Sequence, residues 1–420
     1  MRFDNLDEWL DWQSTLHPQE IELGLTRVSR VWRRLDPDRF RGVVISVAGT
    51  NGKGSCVALL ESIYRQAGYR VGCYTSPHLI RYNERIRLNG ECAFDGDLCR
   101  VFERIDQARG DIPLTYFEFG TLAALLLFAE ADPDLVILEV GLGGRLDAVN
   151  IVDADLALIT TIDLDHCDWL GHDRQQIGRE KAGIMRSGRP VVLGDPRMPE
   201  SVLVHARSIR AEAYLAGRDF QAEQVSQGWV WFHGRGHGVR LPDSNLQGLG
   251  QGLNASAVVM ATRLLQTRLP LTWDQVSDGL RKVTLTGRLQ WIPGTPSLLL
   301  DVAHNPQAVE SLIGYLQQLD WGGRVYALVG LLKDKEARRI LTRVAPEVDD
   351  WLLVDLEGTR GRDAGQLAQL LLDIGVDGSI SCHRNVADAL QCVRRTAAAE
   401  DLIVIFGSFL VVGAALEHLV

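Results

Sequence analysis

Apolar residues in this chain form two kinds of segment: short β-branched runs and longer stretches with helical spacing. The run Val43, Val44, Ile45 and Val47 is typical of a strand covered on both faces, and residues 56–64 are predicted to form a helix directly after it. Further strands are predicted at 69–74, 135–140, 154–162 and 191–193, and further helices at 4–13, 21–35, 115–131, 254–266 and 271–280. Strands that alternate with helices indicate a doubly wound, mostly parallel sheet.

The second part of the chain repeats this α/β pattern. Short polar and aromatic runs between 214 and 242 predict antiparallel strands, and glycines and prolines within 286–297 predict a linker. Beyond it, strands are predicted at 298–302, 325–329, 351–356 and 402–406, and helices at 307–319, 336–344, 364–374 and 386–398. A length of 420 residues favours two domains, which we place at 1–286 and 287–420.

Composition and charge exclude several partners. A net charge of −10 argues against nucleic acid or an anionic membrane as the main partner. The seven cysteines form no CxxC pair, which favours reduced thiols and a cytoplasmic protein. The N-terminus has acids and tryptophans where a signal peptide needs a basic start and an apolar run. We therefore expect a cytoplasmic protein that acts on small molecules.

The sequence GTNGKGS at 49–55 follows the first predicted strand and precedes its helix. Glycines 49, 52 and 54 allow backbone N–H groups to turn toward a polyphosphate at the helix N-terminus. Lys53 would contact the phosphates and the Ser55 hydroxyl would bind Mg²⁺. The loop departs from the strict pattern, because Val47 replaces the first glycine and Gly54 separates the lysine from the hydroxyl residue. A glycine-rich turn without a ligand is the alternative.

Three more residues with potential for metal chemistry follow later strands. Glu139 lies in the apolar run LVILEV, where an unpaired carboxylate would cost several kcal/mol unless a metal or a basic group faces it. His166 lies in the acidic sequence DLDHCD, whose oxygen ligands suit Mg²⁺ or Mn²⁺ better than zinc. A solvated acidic turn is the alternative for His166. The third residue, Lys181, lies in REKAGI.

Six motifs occur in the order and approximate spacing found in one enzyme family. They are GTNGKGS, LEVGLGGRLD, DHCDWLG, REKAGI, GRLQ and DVAHNP. In them the chain resembles the folylpolyglutamate synthases, the folate branch of the Mur ligase superfamily, from about residue 21 to 406. TYFEFGTL and EVGLGGRLDA resemble the bacterial bifunctional members, which also act as dihydrofolate synthases. The resemblance implies a P-loop central-type domain followed by a smaller Rossmann-like ligase domain.

The resemblance also implies a set of ligands and site residues. ATP would be bound by Gly49, Thr50, Asn51, Gly52, Lys53, Gly54, Ser55, Asn254, Arg288, Asp301 and His304. Two Mg²⁺ ions would be held by Ser55, Glu139, His166 and Lys181. Lys53, His166, Lys181 and Arg288 would act in the chemical step. Lys181 matches a lysine that is carbamylated in this superfamily; unmodified, it would be a salt-bridge partner.

The acceptor pocket is implied in the same way. Thr115, Phe117, Asp147 and Ala148 match positions that line the pterin pocket. Phe117 can stack on a flat pterin and Asp147 can accept hydrogen bonds from it, although a core aromatic is the alternative for Phe117. Arg81, in the polar loop predicted at 75–90, is a candidate for holding an anionic substrate. The expected substrates are dihydropteroate, reduced folates and L-glutamate, and we expect a monomer.

Two departures and two rivals accompany this interpretation. The sequence GLGQGLNAS lacks a His-Gln pair common in the family, and GSFLVVG lacks a histidine often found after GSF. A cell-wall Mur ligase would keep most of the same residues, but it should carry an N-terminal nucleotide-binding domain before the glycine loop. A nucleotide-binding switch without ligase activity is the rival from another class.

Overall fold

The structure is a computed structural model that describes residues 2–36, 41–234, 236, 238–319, 321–358 and 360–419. It divides into two compact units, each described by itself below. The first unit comprises Met1–His78, Tyr82–Asn245 and Gly252–Val283. The second unit comprises Leu79–Arg81, Leu246–Gln251 and Thr284–Val420.

An eight-stranded sheet forms the centre of the first unit. Its strands are β1 (Val43–Ala48), β2 (Val71–Tyr74), β3 (Ile86–Leu88), β4 (Glu91–Cys92), β5 (Leu135–Glu139), β6 (Leu156–Ile159), β7 (Pro190–Leu193) and β8 (Glu212–Leu215). The order across the sheet is β4-β3-β2-β5-β1-β6-β7-β8, and all pairs are parallel except those of β3 and β4. Every residue of β1 is buried, as the β-branched run predicts.

Among the described residues of this part of the chain, ten α-helices accompany the sheet. They are α1 (Leu6–Leu16), α2 (Thr26–Leu35), α3 (Lys53–Gln66), α4 (Asp95–Arg109), α5 (Tyr116–Ala131), α6 (Cys167–Leu170), α7 (Arg174–Ala182), α8 (Glu200–Ser208), α9 (Gln251–Leu264) and α10 (Trp273–Lys282). A separate antiparallel sheet contains β9 (Phe220–Gln224), β10 (Trp229–His233) and β11 (Val239–Leu241), which confirms the antiparallel strands predicted there.

Three local predictions were wrong. The segment predicted as a linker at 286–297 contains a strand, Gln290–Ile292, which pairs with residues 298–300 in the sheet of the second unit. The helix predicted at 21–35 begins only at Thr26, because the preceding Gly24 donates its N–H to the Leu146 carbonyl, 3.2 Å away, instead of entering a helix. The segment predicted as a loop at 75–90 contains a 3-10 helix, Tyr82–Arg85, and the strand β3. The strand was missed because its residue Arg87 is charged and the segment therefore resembles a polar loop. In the structure Arg87 forms an ion pair with Glu61, which allows it to lie within a strand.

The second unit has a six-stranded sheet. Its strands are β12 (Gln290–Ile292), β13 (Ser297–Asp301), β14 (Val325–Val329), β15 (Asp350–Val354), β16 (Ser379–His383) and β17 (Leu402–Phe406), in the order β12-β13-β17-β14-β15-β16. Its helices are α11 (Pro306–Leu319), α12 (Ala337–Val344), α13 (Ala364–Asp373), α14 (Val386–Thr396) and α15 (Phe409–Glu417). Only β12 is antiparallel. Apolar clusters cover both faces, which confirms the predicted Rossmann-like α/β unit.

Candidate active site

The loop between β1 and α3 is fixed by the residues that end β6. The Thr160 and Thr161 hydroxyls donate to the Asn51 carbonyl at 2.6 and 3.2 Å. Gly52 precedes α3 with a φ of 87°, a conformation that favours glycine. A side chain there would also collide with the Asn254 amide, which brings Asn254 beside the loop. The strand, glycine turn and helix therefore form an anion-binding N-terminus at α3.

Two lysines, distant in sequence, converge on one carbonyl of this loop. The Nζ atoms of Lys53 and Lys181 lie 3.0 and 2.9 Å from the Gly49 oxygen, and Lys53 also donates to the Thr50 carbonyl at 3.2 Å. Lys181 is buried. Burial, together with the nearby Lys53 charge, lowers the pKa of Lys181 to about 7. Near neutral pH a large share of Lys181 is thus an uncharged amine.

The other candidate metal ligands lie at strand ends in the same unit. Glu139 is buried at the end of β5, in register with Val47 of β1, and its Oε2 atom lies 3.4 Å from the Ser76 N–H. His166 has a positive φ of 50°, and its N–H donates to the Asp165 carboxylate at 2.9 Å. The buried Glu139 carboxylate and the partly exposed His166 imidazole are donors that Mg²⁺ or Mn²⁺ accepts.

Within the described ranges, no group of three His, Cys, Asp or Glu side chains is placed to hold a metal ion. The predicted set contains only two such side chains, Glu139 and His166, together with the buried hydroxyl of Ser55 and the amine of Lys181. Glu139 is the one carboxylate in this predicted set, so waters and nucleotide phosphate oxygens would complete the coordination of a magnesium ion, and a neutral amine on Lys181 would add no charge.

Thr115 and Phe117 line the beginning of α5. Thr115 is the N-cap: its hydroxyl accepts the Glu118 N–H, and the Glu118 carboxylate accepts the Thr115 N–H at 2.8 Å. Glu118 in turn forms an ion pair with Arg27 at 3.1 Å. The Phe117 ring lies against Gly141, where any side chain would collide with it, and 5.8 Å from the Tyr74 ring. These contacts restrict the orientation of the Phe117 ring, which lies beside the end of β5.

Asp147 is buried in the loop that follows β5. Its carboxylate accepts the N–H groups of Leu142 at 2.8 Å and Val149 at 3.0 Å, which orders the short helix Ala148–Ile151. Burial raises the pKa of Asp147 to about 6, against the opposing effect of these N–H groups. Ala148 is buried beside it. A carboxylate oxygen has two lone pairs, so Asp147 can still accept a ligand hydrogen bond.

In the second unit, the residues after β13 form a separate cluster. The buried Asp301 carboxylate accepts the N–H groups of Leu289 at 2.9 Å and Ala303 at 2.8 Å, and burial raises its pKa. His304 donates from Nδ1 to the Val302 carbonyl at 2.8 Å. Arg288 stacks over the Phe409 ring at 5.6 Å. The bond from Leu289 to Asp301 thus fixes the backbone beside Arg288. Arg81, the candidate for holding an anionic substrate, also belongs to the second unit.

Sequence reasoning missed several residues of these groups. Ser76, beside Glu139, is the second residue after strand β2, and the polar residues that follow this strand were the available signal. Arg27 and Phe409 gave no local signal, because their roles arise from contacts with Glu118 and Arg288 far along the chain. No helix among the described residues is long and apolar enough to cross a membrane.

Domain families match both units. Residues 47–261 match the Mur ligase middle domain, and residues 287–409 match the Mur ligase glutamate ligase domain. Together with the glycine loop and the two α/β sheets, these matches define the chain as a Mur ligase.

Individual relatives narrow the class. The Escherichia coli K12 protein named dihydrofolate synthase/folylpolyglutamate synthase is 43% identical over 414 residues, 98% of this chain and 95% of that protein. The structure of E. coli FolC in complex with DHPP and ADP has a TM-score of 0.92 at 42% identity, covering 99% of this chain and 97% of that one. A bifunctional folylpolyglutamate synthase/dihydrofolate synthase with Mn, AMPPNP and L-glutamate bound has a TM-score of 0.91 at 43% identity, covering 99% and 98%. The chain therefore belongs to the dihydrofolate synthase/folylpolyglutamate synthase family, which confirms the resemblance.

Proposed function

We propose that this chain is an ATP-dependent ligase that joins L-glutamate to dihydropteroate, forming dihydrofolate, and to reduced folates. The observation that carries the proposal is the β1–loop–α3 arrangement, with Lys53 and Lys181 converging on the Gly49 carbonyl, in a chain of this family. The ligands bound in the solved relatives, DHPP, ADP, AMPPNP and L-glutamate, are compounds that such a reaction uses or that resemble its substrates and products.

The reaction we propose has two steps. A carboxylate does not react with an amine until one of its oxygens becomes a leaving group, so the acceptor carboxylate first takes the γ-phosphoryl group of ATP and ADP leaves. The glutamate amine then attacks the acyl phosphate carbon. Phosphate departs with the C–O electron pair, and the amine loses its proton to form the amide. Phosphoryl transfer depends mainly on positioning and on charge neutralisation.

The first unit would bind ATP through its glycine loop. The backbone N–H groups of 49–55 and the Lys53 ammonium would face the phosphates, with Asn254 beside Gly52. In the second unit, Arg288 would contact the phosphates, Asp301 the ribose and His304 the phosphate side. The Arg288 guanidinium lies over the Phe409 ring, 5.6 Å from its centroid, and near enough to the Asp301 carboxylate to interact with its charge. The proposal assigns nucleotide binding mainly to 1–286 and the ligase domain to 287–420.

Two Mg²⁺ ions would be held by the side chains of Ser55, Glu139, His166 and Lys181. Bound there, they would neutralise phosphate charge during transfer. The residues fit a hard cation, because Glu139 supplies buried carboxylate oxygens and Ser55 a buried hydroxyl oxygen. The set lacks a second carboxylate, and a carbamate on Lys181 would supply one. The lowered pKa and the burial of Lys181 support this modification, since only the neutral amine reacts with carbon dioxide.

The pterin of the acceptor would bind in the first unit. The pterin would stack on Phe117, and Asp147 would accept hydrogen bonds from its amino and ring N–H groups. Thr115 and Ala148 would shape the pocket, because Thr115 fixes the start of α5 and Ala148 follows Asp147 in its short helix. Arg81 would attract the anionic tail. We further propose that the chain acts as a monomer in the cytoplasm, where its seven free cysteines stay reduced.

Mass spectrometry of the products tests the proposal. Purified protein receives Mg²⁺, ATP and glutamate with dihydropteroate, tetrahydrofolate or neither. The proposal predicts acceptor-dependent ADP release and a gain of one glutamate on each acceptor. Product from tetrahydrofolate alone would remove the dihydrofolate synthase activity, whereas ADP release without any amide product would support a nucleotide-binding switch.

A further inference from the structure

Arg87, on strand β3, joins three segments of the first unit. Its Nη2 and Nε atoms lie 2.8 and 3.2 Å from Oε2 of Glu61, which belongs to helix α3. Its Nη1 atom donates to the Thr75 hydroxyl at 3.0 Å and to the Glu84 carbonyl at 2.9 Å. Thr75 directly follows strand β2, so one guanidinium ties α3 to the end of β2.

The Arg87–Glu61 pair is a largely buried ion pair. The side chains are 21% and 9% exposed. Burial alone would lower the pKa of Arg87, but the Glu61 carboxylate outweighs it and raises the pKa. Removing one partner of such a pair leaves the other charge buried, which is strongly unfavourable. The guanidinium is therefore held in one orientation, and the fork geometry lets it serve Glu61 and Thr75 together.

The clamped segment ends at the proposed metal carboxylate. Thr75 is fixed by its N–H, which donates to the Arg85 carbonyl at 2.8 Å, and by the Arg87 bond to its hydroxyl. The next residue, Ser76, places its N–H 3.4 Å from Oε2 of Glu139. Strands β2 and β5 are parallel neighbours, with Tyr74 beside Leu138, so both ends lie at the same edge of the sheet.

We propose that Arg87 is a positioning residue for the metal: it clamps Thr75 against helix α3, and Ser76 then fixes the Glu139 carboxylate. The inference rests on the proposed function, because it assigns Glu139 to the divalent cation. Helix α3 begins at Lys53 and contains Glu61, so the contacts of Arg87 also fix the position of the proposed phosphate-binding helix relative to the Glu139 carboxylate.

Two substitutions remove the clamp by different routes. Thr75→Val deletes the hydroxyl that Arg87 contacts and leaves the Arg87–Glu61 pair intact. Arg87→Lys keeps the charge facing Glu61, but a single ammonium lacks the fork that reaches both partners. The matched control is Asn89→Gly, at the opposite end of the β2–β3 hairpin, where the Asn89 side chain accepts the Val71 N–H at 2.9 Å. Glycine retains the positive φ of 54° at that position.

The readout is Mn²⁺ binding, followed by electron paramagnetic resonance in the presence of AMPPNP, with thermal unfolding measured in parallel. We expect Thr75→Val and Arg87→Lys to raise the half-saturating Mn²⁺ concentration about tenfold, the loss that one hydrogen bond predicts. Asn89→Gly should lower the unfolding temperature and leave Mn²⁺ binding within about twofold of wild type.

Unchanged Mn²⁺ binding in Thr75→Val would overturn the inference, and so would an equal weakening in Asn89→Gly. If the wild-type protein binds Mn²⁺ and AMPPNP, either of these results overturns the positioning role of Arg87 but does not contradict the proposed function. A wild-type protein that binds no Mn²⁺ with the nucleotide overturns the proposed function and this inference with it.

Discussion

Depleting carbon dioxide should inactivate this protein reversibly, and Lys181 is the reason. The Nζ atom of Lys181 is buried 2.9 Å from the Gly49 carbonyl, close enough to Lys53 for that charge to help lower its pKa. A neutral amine in this position can attack carbon dioxide: an N–C bond forms, one proton leaves to solvent, and the product is an anionic carbamate. The metal set would thereby gain the carboxylate-like ligand that it lacks.

The size of the effect follows from the pKa. With the pKa of Lys181 at about 7 in place of 10.5, the amine is about 90% neutral at about pH 8, whereas an ordinary lysine is about 0.3% neutral. The reactive form is thus enriched about 300-fold over a surface lysine. Below a pH of about 7 the ammonium dominates, so the extent of modification should fall as the pH is lowered through that value.

Carbon-13 NMR with labelled bicarbonate is the assay, in wild type and in Lys181→Met. We expect a carbamate resonance at about pH 8 that is absent from Lys181→Met and weakens as the pH falls. Ligase activity should drop in carbon dioxide-depleted buffer and return when bicarbonate is added. Lys282→Met, which removes an exposed lysine, is the control and should retain both signals. Full activity without carbon dioxide, together with no carbamate resonance, would refute the reasoning.

Three further predictions concern single side chains. Lys53→Ala should abolish ATP-dependent amide formation, because it removes the ammonium proposed to face the phosphates. Thermal unfolding should stay near wild type, since the Lys53 bonds to the Gly49 and Thr50 carbonyls lie within one loop; undiminished product formation would contradict the proposed role of Lys53. The KM for dihydropteroate should rise as the pH falls through about 6, because protonation of Asp147 removes an acceptor, and Asp147→Asn should flatten that pH profile. Arg288→Gln should raise the KM for ATP by about tenfold to a hundredfold, the value of a charged hydrogen bond, and leave the KM for dihydropteroate unchanged.

The fold of the proposed nucleotide-binding loop was predictable because its signals are local. The buried run of β1, the glycines after it and the start of α3 lie within one short segment, and each follows from residue type. Gly52 has a positive φ, which the glycine-rich pattern of the loop predicts. Its contact with Asn254 could not be predicted, because the two residues lie far apart in the sequence.

The remainder depends on contacts between distant segments. Lys53 and Lys181 meet at the Gly49 carbonyl although Lys181 lies 132 residues from Gly49, and no periodicity indicates such a meeting. The same holds for Arg87, whose partner Glu61 lies 26 residues away. Strand β3 was missed because this pairing places a charged residue in the strand, where the sequence alone indicates a polar loop. Asp147, predicted from resemblance, also orders its own loop, a role set by the N–H groups around it.

The most direct test of the account follows one oxygen atom. Dihydropteroate carrying ¹⁸O in both carboxylate oxygens is incubated with ATP, Mg²⁺, L-glutamate and the protein, and the released phosphate is analysed by mass spectrometry. Activation as an acyl phosphate predicts one ¹⁸O atom in each phosphate and one retained in the new amide carbonyl. Phosphate free of ¹⁸O, with dihydrofolate formed, would contradict the acyl phosphate route on which the proposed ligase mechanism depends.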